Sequence, residues 1–215
     1  MKILSIVNRK GGASKSTLAA HLALEATEEG LKTILIDMDP QKTLESWWEK
    51  REEELPAMVD ISANDLEDKL SVLEKSGFDL CIIDTPGDNT GNAEAGIKAA
   101  QIVLIPCKPT PPDLAAVGKT ISQVRDKHKQ PYFFVITQAP PSSQAHVQAT
   151  SVLSEFGPVA PDTMMTRKMY SDVMGSGESA TKYNKAAKAE IPAIWNYVKD
   201  KLGMNNKTKK LKVAV

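Results

Sequence analysis

Lys10-Gly11-Gly12-Ala13-Ser14-Lys15-Ser16-Thr17 decides the fold, because this loop of small residues joins an apolar run to a segment with helical spacing. The apolar run at residues 3–7 predicts a buried strand, and residues 16–30 predict a helix. Small residues let the backbone curl so that its N–H groups face an anion at the start of the helix. In a phosphate-binding loop, Lys15 would contact the β- and γ-phosphates and the Ser16 hydroxyl would ligate Mg²⁺.

Two positions of this loop depart from the standard phosphate-loop pattern. That pattern has glycine at the places that Arg9 and Ser14 occupy here. The pattern alone leaves two interpretations open: a nucleotide site, or an ordinary tight turn between a strand and a helix. We expect Ser14 to adopt a helical conformation at little cost, because Ser16 and Thr17 continue directly into a well-patterned helix.

Strand-like and helical segments alternate along the rest of the chain. Apolar runs without polar alternation predict strands that are buried on both faces, and hence a parallel sheet covered by helices. The runs lie at residues 3–7, 33–36, 80–83, 102–105, 132–136 and, weakly, 158–160. Helical segments lie at residues 16–30, 41–54, 65–76, 113–127 and 144–155, and the remainder is mostly helical. The predicted fold class is α/β, a single three-layer domain on a mostly parallel, twisted sheet.

Polar residues follow three of these predicted strands. The glycine-containing loop follows the first, Asp37 and Asp39 end the next, and Asp84 ends the run at residues 80–83. Ligands of open α/β sheets bind at the carboxyl ends of the strands. A single aspartate there is most simply a helix cap, whereas three polar strand ends together favour one shared site.

The loop resembles the deviant Walker A motif of the ParA/MinD family of ATPases, in which a signature lysine precedes two glycines. Lys10 matches that lysine, Gly11 and Gly12 match the pair, and Ser14 replaces the motif's remaining glycine. Further matches are Asp37-Met38-Asp39-Pro40-Gln41, the Walker B-like Asp79-Leu80-Cys81-Ile82-Ile83-Asp84-Thr85-Pro86, the proline-rich residues 105–114 and, more loosely, Arg167-Lys168-Met169-Tyr170 with Gly175-Ser176-Gly177. The resemblance covers residues 1–202 and is strongest in the first half of the chain.

This resemblance implies a P-loop NTPase domain at residues 1–202, a lysine-rich tail at residues 203–215, and ATP and Mg²⁺ as cofactors. Contacts with ATP are expected from each residue between Lys10 and Thr17, and from Pro109 and Pro111. Catalysis would use Lys15 on the phosphates and Lys10 as an extra cation. The family implies that Lys10 reaches the nucleotide of the facing subunit, so that ATP links an ATP-dependent homodimer.

Carboxylates at the strand ends suit the metal that such a site requires. Mg²⁺ prefers hard oxygen ligands and keeps several of its waters. The expected metal residues are Ser16, which binds directly, Asp84, which holds a water, and Asp37, which supports the shell. Asp39 is expected to orient or polarise the attacking water.

Charge is distributed unevenly along the chain although the totals balance at 27 basic and 27 acidic residues. Residues 1–162 carry a net charge of −7 and residues 163–215 a net charge of +7. This basic segment suggests DNA contact without sequence preference, with Arg167, Lys168, Lys185 and Lys188 as candidates and help from the tail. Two cysteines, both in apolar runs, argue against a disulfide framework and fit a reducing cytoplasm.

The expected function is a cytoplasmic, nucleoid-associated ATPase that positions a plasmid, a chromosome or another cargo. A ParB-like or other cargo adaptor would stimulate hydrolysis and release the dimer from DNA. No run approaches a membrane span, the first strand has no preceding helix-turn-helix domain, and no stable membrane association is expected. The alternatives are a MinD-like membrane switch, an ATP-dependent ligase such as a dethiobiotin-synthetase-like enzyme, and a degenerate nucleotide-binding module.

Overall fold

The computed structural model describes residues 1–88 and 90–205. Its centre is a seven-stranded sheet in the order β3-β2-β4-β1-β5-β6-β7, in which every neighbouring pair is parallel. The strands are β1 (Lys2–Ile6), β2 (Thr33–Asp37), β3 (Ala57–Val59), β4 (Leu80–Asp84), β5 (Ile102–Cys107), β6 (Tyr132–Ala139) and β7 (Met164–Met165). This architecture confirms the predicted α/β class.

Helices connect the strands and cover both faces of the sheet. They are α1 (Lys15–Glu28), α2 (Thr43–Trp48), α3 (Leu66–Lys75), α4 (Gly91–Ala99), α5 (Pro111–Ile121), α6 (Ala145–Ser154), α7 (Lys168–Met174), α8 (Ala180–Tyr183) and α9 (Ala187–Lys201). A π-helical segment, Ser122–Lys127, extends α5. One core packs α1 and α9 against one face of the sheet, and two further clusters lie beneath α3 to α6. No helix among these residues is both long and apolar enough to cross a bilayer.

Several elements differ in extent from the sequence expectation. The helix expected at residues 41–54 is limited to Thr43–Trp48. The weak strand near residues 158–160 is a single bridge between Phe134 and Val159, and the edge strand itself is Met164–Met165. Short edge strands carry too few residues for a hydrophobic pattern, which explains why β3 and β7 escaped detection.

The last helix and the residues after it close the first core. Helix α9 starts at Ala187 and runs through Pro192 to Lys201. Met204, two residues past the expected end of the domain, is still buried in that core. The lysines expected to form the tail, Lys207, Lys209, Lys210 and Lys212, lie outside the described residues.

Candidate nucleotide site

The candidate site lies where three adjacent strands end. β4 is the neighbour of both β1 and β2, and the parallel register places Ile6 and Asp37 beside Asp84. A cavity of about 560 Å³ opens at this edge. Its walls are residues 11–17, Asp39, Pro40, Gln41, Thr43, Pro86, Gly87, Asp88 and Gln138. The fold therefore brings the loop and Asp39 to one cavity, as the polar residues at the strand ends predicted.

The loop after β1 is anchored from the neighbouring strands. The Asn8 side chain donates to the Pro106 carbonyl at 2.6 Å and accepts from the Lys10 N–H at 2.8 Å. The Thr137 hydroxyl, on β6, donates to the Ala13 carbonyl at 3.1 Å. Across residues 1–88 and 90–205, no acceptor takes the N–H of Ala13 or Ser14. Both residues line the cavity just before the start of α1, so these free N–H groups are suited to an anion.

Lys15 is buried in the loop and faces the strand-end carboxylates. Its side chain is only 8% exposed, and its charge acts on Asp84. A Cβ added to Gly87 would lie 3.6 Å from the Lys15 ammonium and 3.6 Å from the Gly11 backbone. These distances are ordinary van der Waals contact, and they place the segment after β4 directly against the phosphate loop.

Ser16, in the cavity wall, and Asp84, buried directly behind it, are the residues that suit a metal ion. The Ser16 hydroxyl donates to Asp84 Oδ2 at 2.5 Å. Asp84 Oδ1 is buried and lacks a hydrogen-bond partner in the described structure. Burial raises the pKa of Asp84 to about 7, and the nearby Asp37 charge adds to this rise. A hydroxyl and an unpartnered carboxylate oxygen are hard ligands of the kind Mg²⁺ prefers, and the cation would favour the ionised carboxylate.

Asp37 organises the segment that carries Asp39. Its Oδ2 accepts the N–H groups of Leu44 and Glu45, each at 3.0 Å, at the start of α2. Its Oδ1 accepts the Asp39 N–H, also at 3.0 Å. Burial raises the pKa of Asp37 while these N–H groups lower it. Both oxygens of Asp37, the expected metal-shell residue, are thus held by backbone donors, and of Asp37 and Asp39 it is Asp39 that lines the cavity.

The prediction that Ser14 adopts a helical conformation is wrong. Its backbone is left-handed, with φ 66° and ψ 29°, and α1 begins one residue later. A left-handed residue reverses the backbone before the helix, which a continuous helical path from Ser14 would not do. The conformation is held by Gln138, whose Nε2 donates to the Ser14 hydroxyl at 2.6 Å. Strain of about 1 kcal/mol or more is expected for a non-glycine residue there.

Lys10 lies beside the cavity and is absent from its walls. Its ammonium lies 3.0 Å from Asp113 Oδ1 on α5; the lysine side chain is 37% exposed and the aspartate 8%. Thr110 donates to the other oxygen of Asp113. Lys10 is thus held by a residue of its own chain, away from the cavity walls.

The proline-rich segment does not line the cavity. Pro109 is buried and Pro111 occupies the start of α5, where a missing N–H costs nothing. Sequence reasoning missed two other residues here. Lys108 places its ammonium 3.6 Å from a Cβ built on Gly12, and Gln138 contacts the loop directly. Both lie at or just past strand ends, the signal that could have found them.

A parallel sheet with a phosphate loop after β1 and an aspartate at the end of β4 defines a P-loop nucleotide-binding protein. The family model described as the CobQ/CobB/MinD/ParA nucleotide binding domain matches residues 4–173. The chain belongs to this family, whose MinD and ParA members are P-loop ATPases, as the resemblance implied.

Two relatives carry the name "Maintenance of carboxysome distribution protein A". The one from Gloeobacter kilaueensis is 31% identical over 162 residues, which cover 73% of this chain and 72% of the relative. The one from Halothiobacillus neapolitanus is 27% identical over 207 residues, or 91% of this chain and 95% of the relative. Septum site-determining protein MinD from Pyrococcus horikoshii, solved with Mg-ADP, shares the fold with a TM-score of 0.75 and 18% identity, covering 96% of this chain and 99% of MinD.

Proposed function

We propose that this chain is a Mg²⁺-dependent ATPase that dimerises with ATP, binds DNA without sequence preference and positions a large cargo. Hydrolysis would be stimulated by a ParB-like or other adaptor on the cargo. The observation that carries the proposal is the position of Lys10, which lies outside the cavity of its own chain, whereas Lys15 lines that cavity. A cation so placed is available to a nucleotide held by a facing subunit.

The cavity contains what phosphoryl transfer from ATP requires. The unpartnered loop N–H groups and Lys15 would hold the phosphates, and Ser16 with Asp84 would hold Mg²⁺. The metal supplies charge neutralisation at the transferred phosphoryl group. Asp39, held by the Asp37 carboxylate, would orient the attacking water.

The DNA surface is proposed on the basic helices that follow β7. Arg167, a sequence candidate, is hydrogen-bonded to Glu190, so its charge is already paired. Lys168 on α7, Lys185 on the segment before α9 and Lys188 on α9 are exposed, although the Lys168 ammonium lies 3.8 Å from Asp172. Phosphate contacts from such lysines are independent of base sequence, which supports a nucleoid-associated location.

The relatives widen the range of cargo beyond plasmids and chromosomes. Both are named for carboxysome distribution, so a protein compartment is a second candidate cargo alongside DNA partition. The MinD-like membrane alternative depends on the tail, of which residues 206–215 lie outside the described residues.

The test is the molecular mass of the full chain by light scattering, with ATP, a non-hydrolysable ATP analogue or ADP. We expect a dimer with ATP and the analogue and a monomer with ADP. Lys10→Ala should bind the analogue as tightly as the wild type yet stay monomeric, because its contact is made only across the interface. Lys75→Ala is the matched control, since Lys75 ends α3 at the opposite edge of the sheet. A monomeric wild type with the analogue, or a dimeric Lys10→Ala, would contradict the proposal.

A further inference from the structure

Left-handed backbone is concentrated around the candidate site. Four non-glycine residues have positive φ among those that the structure describes, and three of them are Ser14, Lys42 and Gln138. Ser14 and Gln138 line the cavity, and Lys42 lies between two residues that do. Such conformations are costly and persist only where surrounding contacts enforce them. The contacts of Gln138 therefore call for an explanation.

Gln138 and Thr137 hold three successive residues of the phosphate loop. Gln138 Nε2 donates to the Gly12 carbonyl at 2.9 Å and to the Ser14 hydroxyl at 2.6 Å. Thr137 donates to the Ala13 carbonyl between them. Because an amide nitrogen carries two hydrogens, one Gln138 side chain satisfies both of its acceptors. The end of β6 thus holds the loop from one side, and we call these three hydrogen bonds from Thr137 and Gln138 the clasp.

This clasp determines where the loop N–H groups point. In a trans peptide the C=O and the following N–H point in opposite directions. Fixing the Gly12 and Ala13 carbonyls against β6 therefore turns the N–H groups of Ala13 and Ser14 away from β6. These are donors that no acceptor among the described residues takes. Donors oriented in advance bind an anion without first reorganising the loop.

We propose that Gln138 is a positioning residue for the nucleotide. It holds the phosphate loop in its anion-binding form and compensates for the left-handed Ser14. Glycine adopts a left-handed conformation without strain, whereas Ser14 is stabilised in it by the hydrogen bond from Gln138 to its hydroxyl. Ser14 and Gln138 therefore act as a pair. This inference rests on the proposed nucleotide binding, but the clasp itself is a property of the nucleotide-free chain.

The test compares Gln138→Met and Gln138→Ala with the wild type. Methionine keeps the length of the side chain and removes both donors, so it would rescue a packing role and not a hydrogen-bonding role. We expect both variants to bind the Mg²⁺ complex of a non-hydrolysable ATP analogue about tenfold more weakly, or about 1.4 kcal/mol. Gln148→Ala, which alters an exposed glutamine on α6, is the matched control.

Ser14→Gly tests the pairing. It loses a hydrogen bond but relieves strain, so its own affinity should change by less than about tenfold. In the Ser14→Gly background, Gln138→Met should cost less affinity than in the wild type, because one of the two hydrogen bonds that Gln138 donates is already absent. Strict additivity of the two changes would contradict the pairing.

Hydrogen exchange of the nucleotide-free protein separates the two proposals. The peptide spanning residues 10–18 should exchange faster in Gln138→Met than in the wild type or in Gln148→Ala. If the wild type binds no nucleotide but exchange still changes, the proposed function fails and the clasp stands. If exchange and affinity in both Gln138 variants match the wild type, Gln138 is not a positioning residue. The same conclusion follows if Gln138→Ala is impaired but Gln138→Met matches the wild type in both measurements, because packing would then explain the effect.

Discussion

Breaking the contact between Lys10 and Asp113 should strengthen the proposed ATP-dependent dimer. Lys10 serves a facing subunit only if it leaves Asp113, so the pair within one chain competes with dimerisation. Asp113→Asn removes the charge while keeping the shape and an oxygen acceptor for Thr110. The same substitution therefore leaves the start of α5 intact.

The magnitude follows from the geometry of the pair. At the 3.0 Å separation, full Coulomb attraction at an effective dielectric of about 20 would reach about 5 kcal/mol. Lys10 is 37% exposed and the contact lacks hydrogen-bond geometry at Asp113 Oδ1, so solvent screening leaves about 0.5–1 kcal/mol. Each dimer releases two such pairs. We expect the dimer dissociation constant to fall about 5- to 30-fold, for about 1–2 kcal/mol.

The assay is analytical ultracentrifugation of the full chain with the non-hydrolysable ATP analogue, over a range of salt concentrations. The gain should shrink as salt rises, because screening already weakens an exposed pair. Asp126→Asn is the control, since it removes an exposed carboxylate that is paired with Arg125. An unchanged or weaker dimer in Asp113→Asn would refute the competition between the two contacts.

Two further predictions concern DNA and pH. Replacing Lys168, Lys185 and Lys188 together with alanine should weaken the binding of DNA of any sequence. The slope of log affinity against log salt concentration should become shallower by about one for each phosphate that is no longer neutralised. Fluorescence anisotropy measures both effects, with Lys75→Ala as the control, and an unchanged slope would place the DNA surface elsewhere. Burial raises the pKa of Glu25 from 4.5 to about 7, with help from the adjacent acidic residues. The folded protein therefore binds the Glu25 proton more tightly than the unfolded chain does, and the free energy of unfolding falls as pH rises from about 4.5 to 7. Glu25→Gln should raise the unfolding free energy at pH 8 by about 1–3 kcal/mol, measured by urea denaturation, and this gain should shrink toward pH 5. A gain independent of pH would contradict this.

The sheet and the location of the site were predictable from sequence because both depend on local patterns. Unalternating apolar runs indicate strands buried on both faces, and parallel strands bring their carboxyl ends to one edge. This was enough to gather the loop and Asp39 around one cavity, with Asp84 buried next to it and hydrogen-bonded to Ser16. Cys81 and Cys107 were likewise expected in the interior, and both are buried.

Side-chain directions at that edge were not predictable in the same way. Gln138 contacts the loop across 124 positions of sequence, and no local pattern records such a pair. Ser14 was expected to be helical because its neighbours are helical, but the long-range contact stabilises the opposite hand. Asp37 and Asp39 share a strand end, yet one carboxylate caps α2 and the other lines the cavity. Proximity to the edge follows from the fold, whereas the direction of each side chain follows from its partners.

These contacts divide the loop into a fixed part and a movable part. Residues 12–14 are bound to the end of β6, and Ser16 is bound to Asp84 at the end of β4. The Lys10 side chain, by contrast, is held by an ion pair that solvent screens. A perturbation of Gln138 should therefore act on nucleotide affinity in the single chain, and one of Asp113 should act on association between chains.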